Sequence, residues 1–265
     1  MTALAAFSVA SLAPVSVAAQ SAPSAPEIIL DICAEAEPEG RWGRIERPMR
    51  MQRVRMDGEI WILAQGEITT DSPRFLSEAI AKPGEASPRG VILQSRGGRL
   101  QAGLEMGRII RANGLETRAG GIACPDSADD SEPGGQQSPD GLGLPTVPNM
   151  HEDTGICASA CAYAFLGGSQ RQSQPGALGF HRISAIAPAG MEAEEIAAAE
   201  TEMLRDLLLY VLAMGAEAEL VGLAQVTPAA ALARPAAADL SRLGIVTNAT
   251  TGISTPARAL QLAAL

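Results

Sequence analysis

Residues 90–114, GVILQSRGGRLQAGLEMGRIIRANG, decide the fold class. Gly90-Val91-Ile92-Leu93-Gln94 is a short, unbroken apolar run, the pattern of a strand buried on both faces, as parallel sheets require. Ser95-Arg96-Gly97-Gly98 breaks it. Beyond the break, Leu100, Leu104, Ile109 and Ile110 fall on one side of an amphipathic helix that stops at Asn113-Gly114. Strand, glycine turn and helix make one α/β unit.

Working outward, Glu59-Ile60-Trp61-Ile62-Leu63-Ala64 reads as an earlier strand, followed by a helix over Asp71 to Ala81 that starts at Asp71-Ser72-Pro73. Glu116-Thr117-Arg118-Ala119 reads as the next strand. Cys124 to His151 is rich in Pro, Gly, Asp and Ser without periodicity, a surface excursion inserted into the fold. From Ala158 the pattern is helical through Phe165 and stops at Gly167-Gly168. Ala177 to Ile183 then reads as a strand with Leu178 and Phe180 on one face and His181 on the other. Met191 to Met214 forms the longest helix, with Leu204, Leu207, Leu208, Val211 and Leu212 as its buried stripe. A helix leading into a strand at Leu243 to Thr247 closes the pattern. The repeated alternation predicts an α/β layered fold.

The composition bounds the function. With aromatics at 3% against 46% hydrophobic residues, the core is built from Ala, Leu, Ile and Val. A net charge of −10 argues against sequence-independent nucleic-acid binding, which needs Lys and Arg to neutralise phosphates. The first residues, MTALAAFSVASLAPVSVAAQ, are small and apolar, and Val17-Ala18-Ala19 before Gln20 has the pattern of a secretory cleavage site without a basic n-region. A membrane anchor is the competing reading, but Pro14 interrupts a run already short for a bilayer span. The expected organisation is a signal peptide at 1–19, an N-terminal arm at 20–55, one domain at 56–250 with its insertion at 124–151, and a tail at 251–265. Export to the periplasm or beyond follows, with no stable membrane span after cleavage.

Acyl transfer needs a nucleophile, a base for its proton and donors for the developing oxyanion. Ser159, at the expected start of a helix, is the candidate nucleophile. His181, one of two histidines in the chain, is the candidate base. The amides of Gly98 and Ala160 are the candidate oxyanion donors. The bland readings are that Ser159 is an N-cap and His181 a satisfied core histidine.

Leu93-Gln94-Ser95-Arg96-Gly97-Gly98 ahead of a helix resembles the Ser-Pro-Gly-Gly element of the Clp protease proteolytic subunit. Cys157-Ala158-Ser159-Ala160-Cys161, with Gly167-Gly168 and Arg171 behind it, resembles that family's serine helix. Leu178-Gly179-Phe180-His181 resembles its histidine strand. Ala238 to Val246 resembles an ending shared across the Clp-protease/crotonase superfamily. The resemblance runs from about Glu59 to Thr247 and is strongest to an exported branch. It implies a ClpP/crotonase-like spiral fold of repeated ββα units, self-association into a homo-oligomer, and a peptide or protein substrate. Arg96 stands where the family has proline. Thr227 to Arg234, where the family's third catalytic residue is expected, holds no acid, and Asp239 falls too late.

Four cysteines in an exported chain, Cys33, Cys124, Cys157 and Cys161, predict disulfides. Cys157 and Cys161 are spaced to share one helix face, with Ser159 pointing largely the other way, so a bond between them is awkward and one of them is expected to reach Cys124 or Cys33. A zinc site from Cys124, His151, Cys157 and Cys161 has suitable ligand types but no compact spacing. No cofactor is called for. Two functions remain: a periplasmic serine hydrolase working with a Ser-His dyad or incomplete triad, and a catalytically inactive binding or assembly protein of the envelope. Thioester chemistry of the crotonase kind ranks behind both, because export removes the chain from the coenzyme A pool.

Overall fold

A computed structural model of the chain describes residues 47–83, 86–122, 150–151, 155–173, 176–183 and 190–247. The leader, Cys33, Cys124, most of the 124–151 excursion and the tail lie outside the described residues.

The described part opens with a hairpin, β1 (Arg50–Met56) and β2 (Glu59–Gln65), joined through Asp57-Gly58. β1 falls within the segment read from sequence as an arm, yet it pairs with β2 along its whole length. The helix α1 (Ser72–Ile80) follows, then β3 (Gly90–Gln94), whose five residues are all buried. Next come α2 (Leu100–Ala112), β4 (Glu116–Ala119) and the two-residue strands β5 (Gly121–Ile122) and β6 (Met150–His151). The last two pair antiparallel and tie the ends of the excursion together. β7 (Cys157–Ala158), α3 (Ala160–Phe165), β8 (Arg171–Ser173) and β9 (Leu178–Gly179) come next. The helices α4 (Ala193–Ala213), α5 (Glu219–Val226) and α6 (Ala237–Arg242) complete the fold.

The main sheet has the order β1-β2-β3-β4-β8, antiparallel between β1 and β2 and parallel elsewhere. The chain is therefore a mixed α/β protein with a mostly parallel sheet. Strand alternation sorts the sheet's side chains onto two faces. Ile62, Ala64, Val91 and Leu93 enter the large core with the helices, while Val54, Met56, Trp61, Leu63 and Ile92 form a smaller cluster on the other face. Each Val, Leu, Ile or Met among them stabilises by roughly 1.5–3 kcal/mol when fully buried. On that second face the Arg118 guanidinium stacks 4.5 Å over the Trp61 ring.

At the centre lies α3, every residue of which is buried. It can be central because α2 meets it through glycines: a methyl group at Gly103 would strike the Ala160 carbonyl oxygen, and one at Gly107 would strike the Tyr210 hydroxyl and crowd the Ala164 carbonyl. α4 closes over the same helix, with the buried Tyr210 hydroxyl donating to Tyr163 O at 2.8 Å. Two arginines finish the arrangement. Arg171 donates to Leu166 O (2.9 Å), Met214 O (2.8 Å) and Gly244 O (2.7 Å), and Arg111 donates to Gly167 O (2.9 Å) and Met214 O (3.1 Å). They satisfy carbonyls that the ends of α3 and α4 leave unpaired. Burial and the neighbouring Arg111 push the Arg171 guanidinium down to about 10, so it stays charged at neutral pH.

Four sequence expectations change. The strand read over Ala177 to Ile183 is confined to Leu178–Gly179, with Phe180 in an isolated bridge to Ala233, so His181 lies beyond the strand and not on one of its faces. Leu212 is 49% exposed rather than part of the buried stripe, whose core is Leu207, Tyr210 and Val211. The closing segment forms no strand; Ile245 and Val246 are buried, and Thr247 N–H only reaches Arg171 O at 3.1 Å. The helix expected from Ala158 begins at Ala160, after a short strand.

Candidate active site

Ser159 stands where β7 turns into α3. β7 is held on both edges. On one, Ser95 N–H donates to Ile156 O (2.8 Å) and Ala158 N–H donates to Ser95 O (2.9 Å); on the other, Cys157 N–H donates to Ala177 O and Ser159 N–H to Gly179 O, both at 2.8 Å. One residue later the chain is helical. The reversal is absorbed at Ser159, with φ 56° and ψ −126°. Among the described residues Asp57 is the other non-glycine with positive φ, and the Asp57-Gly58 hairpin turn accounts for it. No hairpin accounts for Ser159. Strain of this kind costs about 1–3 kcal/mol and persists where the surroundings impose it, often at functional sites. The Ser159 side chain makes no capping hydrogen bond, so the N-cap reading fails.

The same elbow corrects the disulfide expectation. Cys157 and Cys161 are bonded to each other, with Cα atoms 5.1 Å apart. They do not share a helix face, because Cys157 lies on the strand and Cys161 in the first turn of the helix, and the reversal at Ser159 brings them together. Both sulfurs are thereby removed from the zinc set considered above, and no group of three ligating side chains suited to a metal occurs among the described residues.

The glycine turn packs onto the elbow. A methyl at Gly97 would lie 2.6 Å from Ser159 Cβ and 2.9 Å from Ala158 O, and its φ of 114° further excludes other residues. The buried Ser95 hydroxyl braces the turn by accepting from Gly97 N–H at 3.0 Å. Ile68 pairs with Gly98 in a parallel bridge, donating to Gly97 O (2.7 Å) and accepting from Arg99 N–H (2.9 Å). In that pattern the N–H of Gly98 points away from Ile68. The N–H groups of Gly98 and Ala160 donate to no acceptor among the described residues.

His181 follows β9, two residues beyond the carbonyl that accepts from Ser159 N–H. Its Nδ1 lies 2.8 Å from Arg182 O. A carbonyl only accepts, so Nδ1 carries the proton and Nε2 is left as an acceptor. Among the described residues no carboxylate bonds His181, and no hydrogen bond joins it to Ser159. The segment read as lacking the third catalytic acid lies beside it in space: Arg182 N–H donates to Thr227 O (2.9 Å), and Phe180 pairs with Ala233.

Ser159, His181 and Gly98 line one cleft of about 680 Å³. Its other walls come from the start of α2 (Arg99, Leu100, Gln101), from Arg182 and Ile183, and from α4 (Ala199, Glu202, Met203, Asp206). Sequence reading missed Arg99, Arg182 and the bracing role of Ser95. The first two flank residues already singled out, and nothing in their identity marks a wall. No family model matches the sequence, and no curated protein matches it either. No described helix is long and apolar enough to cross a membrane.

Proposed function

We propose that this chain is an exported serine hydrolase of the ClpP/crotonase-like spiral fold, acting on peptide or related acyl bonds. The observation that carries the reading is the strained, uncapped Ser159 at a strand-to-helix elbow, opening into a cleft shared with His181. Elbows of this kind present a serine hydroxyl to substrate and place the next residue's N–H beside the reacting atom.

In the reaction, Ser159 Oγ attacks the acyl carbon as its proton passes to His181 Nε2. The carbonyl oxygen takes up the negative charge and accepts from the Gly98 and Ala160 N–H groups. Collapse expels the leaving group, which receives the proton from His181, and leaves an acyl-serine. Water, deprotonated by His181, then releases the acid and restores the serine. The missing hydrogen bond between His181 and Ser159 is compatible with this role, since catalytic hydrogen bonds often tighten only once substrate is bound. The Arg182 carbonyl serves as the third member, fixing the histidine tautomer without adding charge. A fluorophosphonate probe labels the wild-type protein at Ser159, and Ser159→Ala or His181→Gln abolishes the labelling; absence of labelling in the oxidised wild type refutes the proposal.

The second reading, a non-catalytic assembly module, draws support from α4. Its first half is almost wholly exposed, and Leu209 and Leu212 further along are 58% and 49% exposed. Such a face suits self-association of subunits. An oligomer that disperses on Leu209→Glu, in a protein that never reacts with the probe, is the outcome that selects this reading.

A further inference from the structure

We infer that the cleft selects a substrate carrying a carboxylate on its acyl side, held by Arg99 and Arg182. The inference rests on the hydrolase reading of the same site and names its substrate class.

Arg99 follows the oxyanion donor Gly98 directly, and Arg182 follows the base His181 directly. Both arginines line the same cleft as Ser159, Gly98 and His181. Both residues are exposed. Among the described residues neither guanidinium has a hydrogen bond or ion pair, in a protein whose net charge is −10 and where several other surface arginines are engaged with acids. Arg74 holds Asp71 and Glu78, Arg89 holds Glu116, and Arg242 holds Glu219 and Asp239. The acids that line the cleft, Glu202 and Asp206, lie on α4 and are partnered by Arg205 at 3.9 and 3.4 Å. Two uncommitted guanidiniums beside a nucleophile suit a carboxylate, which accepts paired N–H bonds from a guanidinium fork. The acidic α4 wall repels a second anion at the far end, so a single carboxylate close to the scissile bond fits best.

Two 4-nitrophenyl esters of similar length test this, the hemiglutarate with a free carboxylate and the neutral valerate. The wild type is expected to favour the hemiglutarate. The ratio of kcat/KM for the two esters should fall by about tenfold or more in Arg99→Gln and in Arg182→Gln, the loss of one charge-assisted bond, and chiefly through KM. A parallel NMR titration of Ser159→Ala with glutarate and with glutaramide reads binding without turnover, and glutarate alone is expected to bind, dependent on both arginines. Hydrolysis without charge preference, or a ratio unchanged in both variants, overturns the inference and leaves the hydrolase reading standing. Arginine-dependent glutarate binding with no hydrolysis of either ester does the reverse. Equal binding of glutarate and glutaramide removes the anion site outright.

Discussion

Replacing both Cys157 and Cys161 by alanine isolates what the disulfide does for the elbow. The bond closes a ring of five residues, 157 to 161, with Ser159 at its middle. For a ring of that size the loop-entropy relation gives about 2 kcal/mol of stabilisation against the unfolded chain. The strain at Ser159 costs about 1–3 kcal/mol, so cross-link and strain are of the same size. Four steps of extended chain would span roughly 13 Å, whereas the cross-link holds the ends at 5.1 Å, a separation that forces a reversal between them. Without it, relaxed backbones at Ser159 become accessible, and a bias weaker by about 2 kcal/mol corresponds to roughly thirtyfold in population.

Two measurements check this. In urea the double variant should unfold at a lower midpoint with unchanged slope, and its rate of reaction with fluorophosphonate should drop by about tenfold or more. Dithiothreitol added to the wild type should reproduce both changes. If the variant keeps the wild-type labelling rate while losing stability, the β7 ladder and glycine turn hold the elbow without the cross-link, and the clamp argument is refuted.

Other perturbations probe the supports around the site. Gly97→Ala should destabilise by about 3 kcal/mol or more, combining positive-φ strain with overlap onto Ser159, and adding Ser159→Gly should recover part of that loss in a double-mutant cycle read by denaturation. Arg171→Met should cost about 2–4 kcal/mol, because the partly buried Gly244 O loses its donor, and Arg111→Met should cost a comparable amount, because the buried Gly167 O loses its donor while Arg171 still serves Leu166 and Met214. Hydrogen bonds from Arg242 hold the Glu219 carboxyl below the usual carboxylate range, so its contribution is present above its unfolded-state pKa and lost as pH falls through the folded-state value. Glu219→Gln should therefore flatten the acid limb of a stability-against-pH curve measured by thermal melting.

The elements that carry the fold were legible because their patterns are local. β3 and α2 follow from an apolar run and a helical stripe, β4 from the short segment that succeeds the helix stop at Asn113-Gly114, and their observed bounds match the residues read for them. β1 was not legible, because Arg50-Met51-Gln52-Arg53-Val54-Arg55-Met56 looks solvated. Arg53 is nonetheless buried, its guanidinium donating to the Ala79 and Ala86 carbonyls. The elbow was also hidden. Two residues of strand before a helix leave no periodic trace, and the ladder that makes them a strand comes from Ser95 and Ala177, far away in sequence. The disulfide misreading followed from that, since a helix begun at Ala158 puts Cys157 and Cys161 in the wrong relation.

The missing acid ties these observations into one expectation about rate. In a serine triad the carboxylate does two things: it selects the histidine tautomer and it stabilises the imidazolium as the serine proton arrives. Here the Arg182 carbonyl does the first and supplies no full charge for the second, while Ala229, on the segment beside His181, occupies a cleft wall where an acid would have mattered. Losing the carboxylate while also losing the tautomer costs about 10⁴-fold in such enzymes. A carbonyl that keeps the tautomer should forfeit only part of that, so labelling of Ser159 is expected to be slow against a full triad and fast against free serine. A rate equal to that of free serine would mean that the elbow, the oxyanion donors and His181 do not act on one atom. The geometry would then belong to the assembly reading.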